Sequence, residues 1–420
     1  MMSNSKTDFV IAELKAIVED AYPVGKIATI ESIACDEEEL LWASGGLKGV
    51  AEPGALISLR SSFRTSFRIA ADTGEYFLKR VSDWIGDARL ADTAEFIKQV
   101  NQQNHSLSPA LQISKNGKTH IVSGESRYQL YSFVEQEKRQ IWMHPELSQE
   151  DCLLSGALLA KMHFAGCQLL PEREEGSESP FQDAPRLSQE AAILRFEETW
   201  DFWMRDIFLA PILPDSVLEL VADSKSSLRS RLAEAIAMTA SRPEAKLSTL
   251  VHGDYHPGNV LFFKDENGKK NVSLVDFDHM RWEHPFYDIG YGLIMFSRRL
   301  QPDSLVDGSH GFAHQRIDWQ LARSFVQGYV EALHIDSADS LHLQSFKSAI
   351  ASCDADLLTC YAKTGCYLIM DWAADRLING PAVFADIYAG VIEMTCRLIC
   401  DDALPDAQRI WQAAVKEKQL

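Results

Sequence analysis

The sequence predicts an α+β protein with a small sheet-rich N-terminal unit and a larger helical C-terminal unit. Strand-like segments are concentrated before residue 135, with one helical stretch among them. Helical patterns dominate from residue 148 onward, and only the region 250–280 again has the composition of strands. At 420 residues the chain also exceeds the size at which a single hydrophobic core keeps growing. These observations favour two units, 1–134 and 135–420, with a cleft between them.

The N-terminal unit begins with a predicted helix in "FVIAELKAIVEDA" and a strand in "KIATIESIA". The turn "ADTG" at 71–74 separates two further strand-like runs, "TSFRIA" and "EYFLKR", and this pattern predicts a hairpin. A helix is predicted at about 87–102, and two more strands lie within 119–135. The unit is therefore expected to be an antiparallel sheet with one inserted helix.

The C-terminal unit opens with "QEDCLLSGALLAKMHFAG", whose apolar residues fall on one face of a helix. The polar segment 171–189 contains Pro and Ser and predicts a surface loop. Helices are predicted again over 190–240 and 319–400, on either side of the strand-like region.

Composition bears on partners and location. The hydrophobic content of 46% and charged content of 24% are typical of a globular protein in water. The net charge of −19 argues against nucleic acid or an anionic membrane as the main partner. We see no signal-peptide pattern, no apolar tract of membrane-spanning length and no Cys-x-x-Cys pair. A cytoplasmic protein is expected, and the sequence does not indicate its oligomeric state.

The segment "NVLFFKDENGKKNVSLVDFD" contains two β-rich runs on either side of Asn267 and Gly268, the favoured pair for a two-residue type I′ turn. If these two residues form the turn, Asn259 and Asp276 face one another across the open end of the hairpin. A bulge or a longer loop would shift this register by one residue.

An amide oxygen and a carboxylate that converge in this way form a small oxygen-rich site suited to Mg²⁺, with substrate phosphates as the other ligands. Asp254, in the preceding "VHGDYHPGN", lies five residues before Asn259. This spacing predicts that Asp254 meets a reacting group next to the metal.

This order of residues resembles the catalytic arrangement of the protein-kinase-like fold, in which an Asp is followed after four residues by an Asn and then by a hairpin that ends in Asp. The residues "HGDYHPGN…LVDFD" resemble the aminoglycoside phosphotransferase and choline kinase family, which includes small-molecule kinases of the homoserine-kinase type. Downstream, "EHPFYDIGYGL" resembles the family segment whose acidic residue, here Asp288, braces the catalytic loop. The resemblance extends from about residue 60 to 300. It implies a two-lobed protein-kinase-like fold with an antiparallel-sheet N-lobe and a helical C-lobe.

The resemblance also implies a function and its residues. The protein is expected to move the γ-phosphate of ATP, with Mg²⁺, to a hydroxyl of a small molecule of the amino alcohol, amino sugar, sugar or homoserine class. Asp254 would orient the acceptor hydroxyl and accept its proton, and Asn259 and Asp276 would ligate Mg²⁺. Asp278 is a weaker candidate for metal or substrate contact. His252 is expected to support the loop by hydrogen bonding.

The family template places a lysine at the α- and β-phosphates of the nucleotide. Lys79 ends the strand "EYFLKR" and fits that position. Its carboxylate partner is expected on the following helix, where Glu95 matches the family position and Asp92, one helical turn away, is the rival.

The loop that covers the nucleotide departs from the family pattern because "RSSFRTS" contains no glycine. The hydroxyls of Ser61 and Ser62 and the backbone amides of the loop could still hold phosphates, with help from Arg64. The adenine is expected to hydrogen-bond to the backbone of "YSFVEQ", near Phe133 to Glu135.

Three other functions remain open at this point. A protein kinase acting on Ser or Thr would use the same phosphate chemistry, and a scaffold could bind nucleotide without turnover. A metallohydrolase would use Zn²⁺ or Mn²⁺, held by the imidazole-rich set His252, Asp254, His256, Asp276 and His279. The hydrolase leaves no role for the lysine or the amide of the predicted kinase site.

Overall fold

The computed structural model describes most of the chain. The described residues are 4–33, 66–81, 85–102, 107–137, 140, 145–169, 194, 196–201, 215–242, 247–300, 315–334, 339–379, 385–400 and 404–418. Ser61, Ser62 and Arg64 of the predicted nucleotide-covering loop lie outside them.

The N-terminal part is a five-stranded antiparallel sheet with the strand order β1-β2-β3-β5-β4. The predicted hairpin is confirmed, since β2 and β3 pair from Ala71 opposite Gly74 to Ser66 opposite Lys79. The strands are β1 (Ile27–Ile33), β2 (Ser66–Ala71), β3 (Gly74–Arg80), β4 (Ile121–Ser123) and β5 (Ser126–Ser132).

In the described part of the N-terminal region two helices accompany this sheet, α1 (Asn4–Ala21) and α2 (Asp87–Gln102), and their buried residues belong to different hydrophobic clusters. Leu14 and Val18 of α1 pack with the sheet in one cluster of buried side chains. Phe96 of α2 belongs instead to the larger cluster formed by the helical part of the chain. The predicted unit boundary near residue 134 remains a prediction, and these two clusters are compatible with it.

The remainder of the described chain is mainly helical, as predicted, with short strand pairs at its centre. Among the described residues, no helix has the length and apolar character needed to cross a membrane. The helices are α3 (Gln149–Leu169), α4 (Asp215–Ser241), α5 (Phe286–Ser297), α6 (Trp319–Ala332), α7 (Leu341–Ser352), α8 (Ala355–Asn379), α9 (Ala385–Cys400) and α10 (Pro405–Glu417). The strands are β6 (Thr249–Val251), β7 (Val260–Lys264), β8 (Lys270–Leu274), β9 (Arg281–Glu283), β10 (Arg298–Leu300) and β11 (Gln315–Ile317).

Helices α3 and α6 approach each other closely at two glycines. A Cβ atom added to Gly328 of α6 would lie 1.9 Å from the carbonyl oxygen of Leu153, and one added to Gly156 of α3 would lie 1.9 Å from the carbonyl oxygen of Phe325. Only glycine therefore allows the two backbones this separation. The contact also brings His163 of α3 to Tyr329 of α6, and His163 in turn contacts Asp288 of α5.

The β7–β8 hairpin forms where it was predicted, but its register differs by one residue. Val260 pairs with Leu274 and Lys264 with Lys270, so Asn259 stands opposite Val275 and not opposite Asp276. The turn is a three-residue loop in which Gly268 has φ 75° and Asn267 does not have a positive φ, which excludes type I′. The loop is closed by Asp265, whose Oδ1 accepts from the amides of Asn267 and Lys269, each at 2.9 Å.

Candidate active site

The 252–259 loop, which contains the predicted catalytic residue Asp254, connects β6 to β7 and ends in a 3₁₀ turn, Pro257–Asn259. Its first two residues are held by Asp288, which lies in the first turn of α5 and is completely buried. The Asp288 carboxylate accepts from the backbone amide of His252 at 2.6 Å and from that of Gly253 at 3.0 Å. Two amides and a buried charge therefore attach the loop to α5.

Asp288 is itself held by residues that the sequence reasoning missed. Nε2 of His163, on α3, lies 3.3 Å from Asp288 Oδ2, and Nδ1 lies 2.8 Å from the hydroxyl of Tyr329 on α6. A carboxylate only accepts, so Nε2 carries the proton in this contact. Burial alone would raise the pKa of Asp288, but the hydrogen bond and charge of His163 hold it below its ordinary value. His163 lies in an apolar helical run, where no spacing rule distinguishes it from a core residue.

The loop histidines bind protein groups. Nε2 of His252 lies 3.0 Å from the carbonyl oxygen of Val275, and its Nδ1 accepts from the amide of Asp254 at 3.3 Å. Burial lowers the pKa of His252, which favours the neutral ring. Nδ1 of His256 accepts from the amide of Gly258 at 3.1 Å, so its Nε2 carries a proton and faces Asp254 Oδ2 at 3.4 Å.

Asp254 is oriented from two sides. The hydroxyl of Tyr291, on α5, donates to Asp254 Oδ1 at 3.2 Å, and Nδ2 of Asn259 lies 3.4 Å from Oδ2. The same Nδ2 donates to the backbone oxygen of Asp254 at 2.9 Å. Burial would raise the pKa of Asp254, but neighbouring His256 holds it well below its usual range, so the group is a carboxylate at neutral pH. Tyr291 was not predicted, although it lies within the quoted "EHPFYDIGYGL".

The structure brings Lys79, at the end of β3, to both aspartates that follow β8. Its Nζ lies 2.7 Å from Asp276 Oδ1 and 2.9 Å from Asp278 Oδ1. Burial opposes a charged lysine, but the two aspartates raise its pKa and Lys79 lowers that of Asp276. Asp276 has φ 66° and ψ 64°, and no other described non-glycine residue has a positive φ. A left-handed backbone is uncommon for a non-glycine residue and is often found at functional positions.

The predicted ion pair between Lys79 and Glu95 is not formed in this structure. Glu95 accepts from Gln99 Nε2 at 2.7 Å and from Lys98 Nζ at 3.1 Å, and it is exposed to solvent. The buried face of α2 contains Phe96, Ile97 and Val100 among others, so Glu95 lies on the opposite face. Neither carboxylate proposed on α2 is among the observed partners of Lys79, which are the two aspartates after β8.

The connector predicted to meet the adenine is already partly engaged. The backbone amide of Phe133 donates to the carbonyl oxygen of Glu75 at 3.0 Å. Arg68 lies 4.3 Å above the Phe133 ring and pairs with Glu135 at 3.1 Å. A nucleotide base would therefore use backbone groups of this segment other than the Phe133 amide, and the assignment of Phe133 and Glu135 to adenine binding remains a prediction.

The geometry does not support the hydrolase alternative. Within the described ranges, no group of three or more His, Cys, Asp and Glu side chains is arranged to hold a metal ion. Both ring nitrogens of His252 face protein atoms, the Val275 carbonyl oxygen and the Asp254 amide. His252, one of the metal ligands predicted for the hydrolase, therefore has both ring nitrogens directed at protein atoms in this structure.

Comparison with known proteins agrees with this geometry. A family model described as the phosphotransferase enzyme family matches residues 54–325, which is more than half of the chain. The chain belongs to this family. A comparison of the sequence with curated proteins found no match.

Three solved structures are similar to this phosphotransferase-family member at low sequence identity. A microcompartment-associated aminopropanol kinase is 15% identical with a TM-score of 0.52, covering 82% of this chain and 91% of its own. The AMP-bound spectinomycin phosphotransferase is 13% identical with a TM-score of 0.49, covering 92% of this chain and 97% of its own. An aminoglycoside phosphotransferase from Alicyclobacillus acidocaldarius is 13% identical with a TM-score of 0.46, covering 84% and 90%. The first similarity confirms the predicted two-lobed protein-kinase-like fold.

Proposed function

We propose that this protein is a kinase that transfers the γ-phosphate of ATP, with Mg²⁺, to a hydroxyl of a small molecule. The observation that carries the proposal is the 2.7 Å contact between Lys79 and Asp276, beside a loop that holds Asp254 and Asn259 together. Phosphoryl transfer requires positioning and neutralisation of charge more than a strong base. That requirement is met by the Lys79 ammonium group, the Asp276 carboxylate and the Asn259 amide.

Asp254 would act at the acceptor. Its low pKa keeps it ionised at neutral pH, so it orients the hydroxyl by accepting a hydrogen bond. It takes the proton as the new P–O bond forms and the bond between the γ-phosphorus and the departing ADP breaks. Tyr291 and Asn259 hold the two carboxylate oxygens, which fixes the direction of approach. Lys79 would donate to phosphate oxygens of the nucleotide.

The donor set of the site fits Mg²⁺. The Asn259 amide directs its nitrogen to the backbone oxygen of Asp254, and this turns Oδ1 away from that contact. The Asp276 side chain is 39% exposed and receives Lys79 on Oδ1 only. One amide oxygen and one carboxylate, completed by phosphate oxygens and water, suit a hard cation that dehydrates reluctantly. When bound, Mg²⁺ would neutralise charge on the transferring phosphate.

The test is a coupled assay of ADP release over amino alcohols, amino sugars, sugars and homoserine. Amino alcohols come first because one structural relative is named an aminopropanol kinase. We expect at least one acceptor to raise ADP release above the acceptor-free rate, and removal of Mg²⁺ by chelation to abolish it. Bound ATP with no turnover on any acceptor would contradict a small-molecule kinase, and turnover on a mixed protein substrate alone would indicate a protein kinase.

Two variants separate the roles of the aspartates. Asp254→Asn should lower kcat by about 10²–10⁴-fold, the usual contribution of a positioned acid or base, while ATP affinity stays near the wild-type value. Asp276→Ala should instead weaken the binding of ATP with Mg²⁺, measured by titration calorimetry. Asp201→Asn is the matched control because Asp201 is exposed and pairs with Lys225 at 2.7 Å outside the site. Wild-type turnover in the first variant would remove Asp254 from catalysis.

A further inference from the structure

Among the described residues, Lys79 has two carboxylate partners, and only Asp276 is assigned to the metal in the proposed function. Asp276 and Asp278 lie on either side of Phe277 in a 3₁₀ turn that begins at Phe277. The side chain of Asp276 is 39% exposed, whereas that of Asp278 is 16% exposed. The charge of Asp278 is therefore less screened by water than that of Asp276, although Asp276 makes the shorter contact with Lys79.

Helix α2 contacts the segment after β8 through Arg89 and Phe96, whereas its Glu95 pairs with Lys98 and Gln99 of the same helix. Nη2 of Arg89 donates to the carbonyl oxygen of Met280 at 2.5 Å. The Phe96 ring meets the Phe277 ring edge-on at a centroid distance of 6.1 Å. With α2 docked through these two side chains, Glu95 is directed to solvent, where its side chain is 51% exposed.

We infer that Asp278 is the positioning residue for Lys79, in the role for which the family template predicts Glu95. The inference rests on the proposed function, since it concerns the lysine that would contact the nucleotide. A carboxylate that ligates a metal shares its charge with that metal, so Asp276 alone would hold Lys79 less firmly once ATP and Mg²⁺ are bound. Asp278 provides a second, more buried anchor at 2.9 Å, which keeps Nζ at the site throughout.

The experiment is a double-mutant cycle read out as the dissociation constant of ATP with Mg²⁺, by titration calorimetry on the full chain. Asp278→Asn is expected to weaken ATP binding on the order of 10- to 100-fold, the effect of losing a hydrogen bond to a charged group. In a Lys79→Met background the same change should have no further effect, because its consequence passes through the lysine. The KM for ATP should rise while the KM for the acceptor stays constant.

Three further variants distinguish this role of Asp278 from a role of α2 and from a loss of folding. Glu95→Gln should leave the affinity for ATP within about twofold of wild type, and so should the control Asp201→Asn, which breaks an exposed Asp–Lys pair. Asp278→Glu keeps the charge and should recover part of the lost affinity. The thermal midpoint of each variant is measured as well. A variant that loses affinity because it unfolds would have a lower thermal midpoint, whereas recovery of affinity in Asp278→Glu at an unchanged midpoint identifies a positioning role.

Several outcomes would overturn the inference. Additive losses in Asp278→Asn and Lys79→Met, with a higher Mg²⁺ requirement in the former, would make Asp278 a metal ligand. A loss in Glu95→Gln as large as that in Asp278→Asn would return the role to α2. If wild-type protein does not bind ATP at all, the proposed function fails; if it binds ATP and Asp278→Asn binds it equally well, only the role of Asp278 fails.

Discussion

Replacing Asp288 by Asn is expected to destabilise the protein by about 3–5 kcal/mol and to release the 252–259 loop from α5. Asp288 is completely buried and accepts from the amides of His252 and Gly253 through different oxygens. An Asn side chain offers one oxygen and one NH₂ group, so one of these amides would face another donor. The variant would lose a charge-assisted bond worth about 1.5–3 kcal/mol and leave a buried N–H unpaired at a further cost of about 1–3 kcal/mol.

The pH dependence of this effect follows from the low pKa of Asp288. A depressed pKa means that the stabilising contribution is present above the unfolded value, about 3.9, and is lost as the pH falls through the lower folded value. The part of the difference in unfolding free energy between wild type and Asp288→Asn that comes from the ionised carboxylate should therefore be fully present from pH 8 to about pH 5. It should shrink only below about pH 4.

The assay is hydrogen exchange followed by mass spectrometry on peptides that contain residues 251–254, together with chemical denaturation. A loss of about 3 kcal/mol corresponds to roughly 100-fold faster exchange of the His252 and Gly253 amides. Asp151→Asn is the control, because Asp151 is also buried, accepts from the amide of Ser148 at 2.8 Å and pairs with Lys270. Unchanged exchange in Asp288→Asn, or equal acceleration in both variants, would refute the assignment of Asp288 as the loop brace.

Two other changes test the site and the packing behind it. Tyr291→Phe removes the hydroxyl that donates to Asp254. The kcat should fall by about 10-fold while the KM for ATP stays unchanged. An unaltered kcat would show that this hydroxyl does not orient the Asp254 carboxylate. Gly328→Ala places a Cβ atom 1.9 Å from the Leu153 carbonyl oxygen, so α3 and α6 must separate, at a cost of about 3 kcal/mol or more in denaturant unfolding. Gly86→Ala, where a Cβ would meet nothing within 4 Å, is its control and should be close to neutral; equal stability of the two glycine variants would contradict the close helix contact.

Much of the fold was predictable because its signals are local. The turn at Asp72 and Thr73 and the alternation around it were sufficient for the β2–β3 hairpin, which ends at Lys79 as expected. The hairpin at Asn267 and Gly268 was located correctly, but its register was not. Asn-Gly suits both a type I′ turn and a three-residue loop with glycine in the left-handed region, and the two differ by one residue in pairing.

Helix α2 shows where local reasoning ended. Its position and length follow from its sequence, whereas the face that it buries depends on what it meets. Phe96 packs against Phe277, which lies 181 positions further along the chain, and that contact rotates Glu95 into solvent. A helix with carboxylates at several positions does not itself indicate which of them faces the strand lysine.

The sequence by itself determined the fold class and the spacing from Asp254 to Asn259, because strand, helix and loop preferences act over a few residues. Only the tertiary structure decided the partners of the charged groups. Lys79 meets Asp278 across 199 positions, and His163 meets Asp288 across 125. Burial makes these pairings selective, because a charge removed from water must find whichever partner the packed helices and strands place within hydrogen-bonding distance.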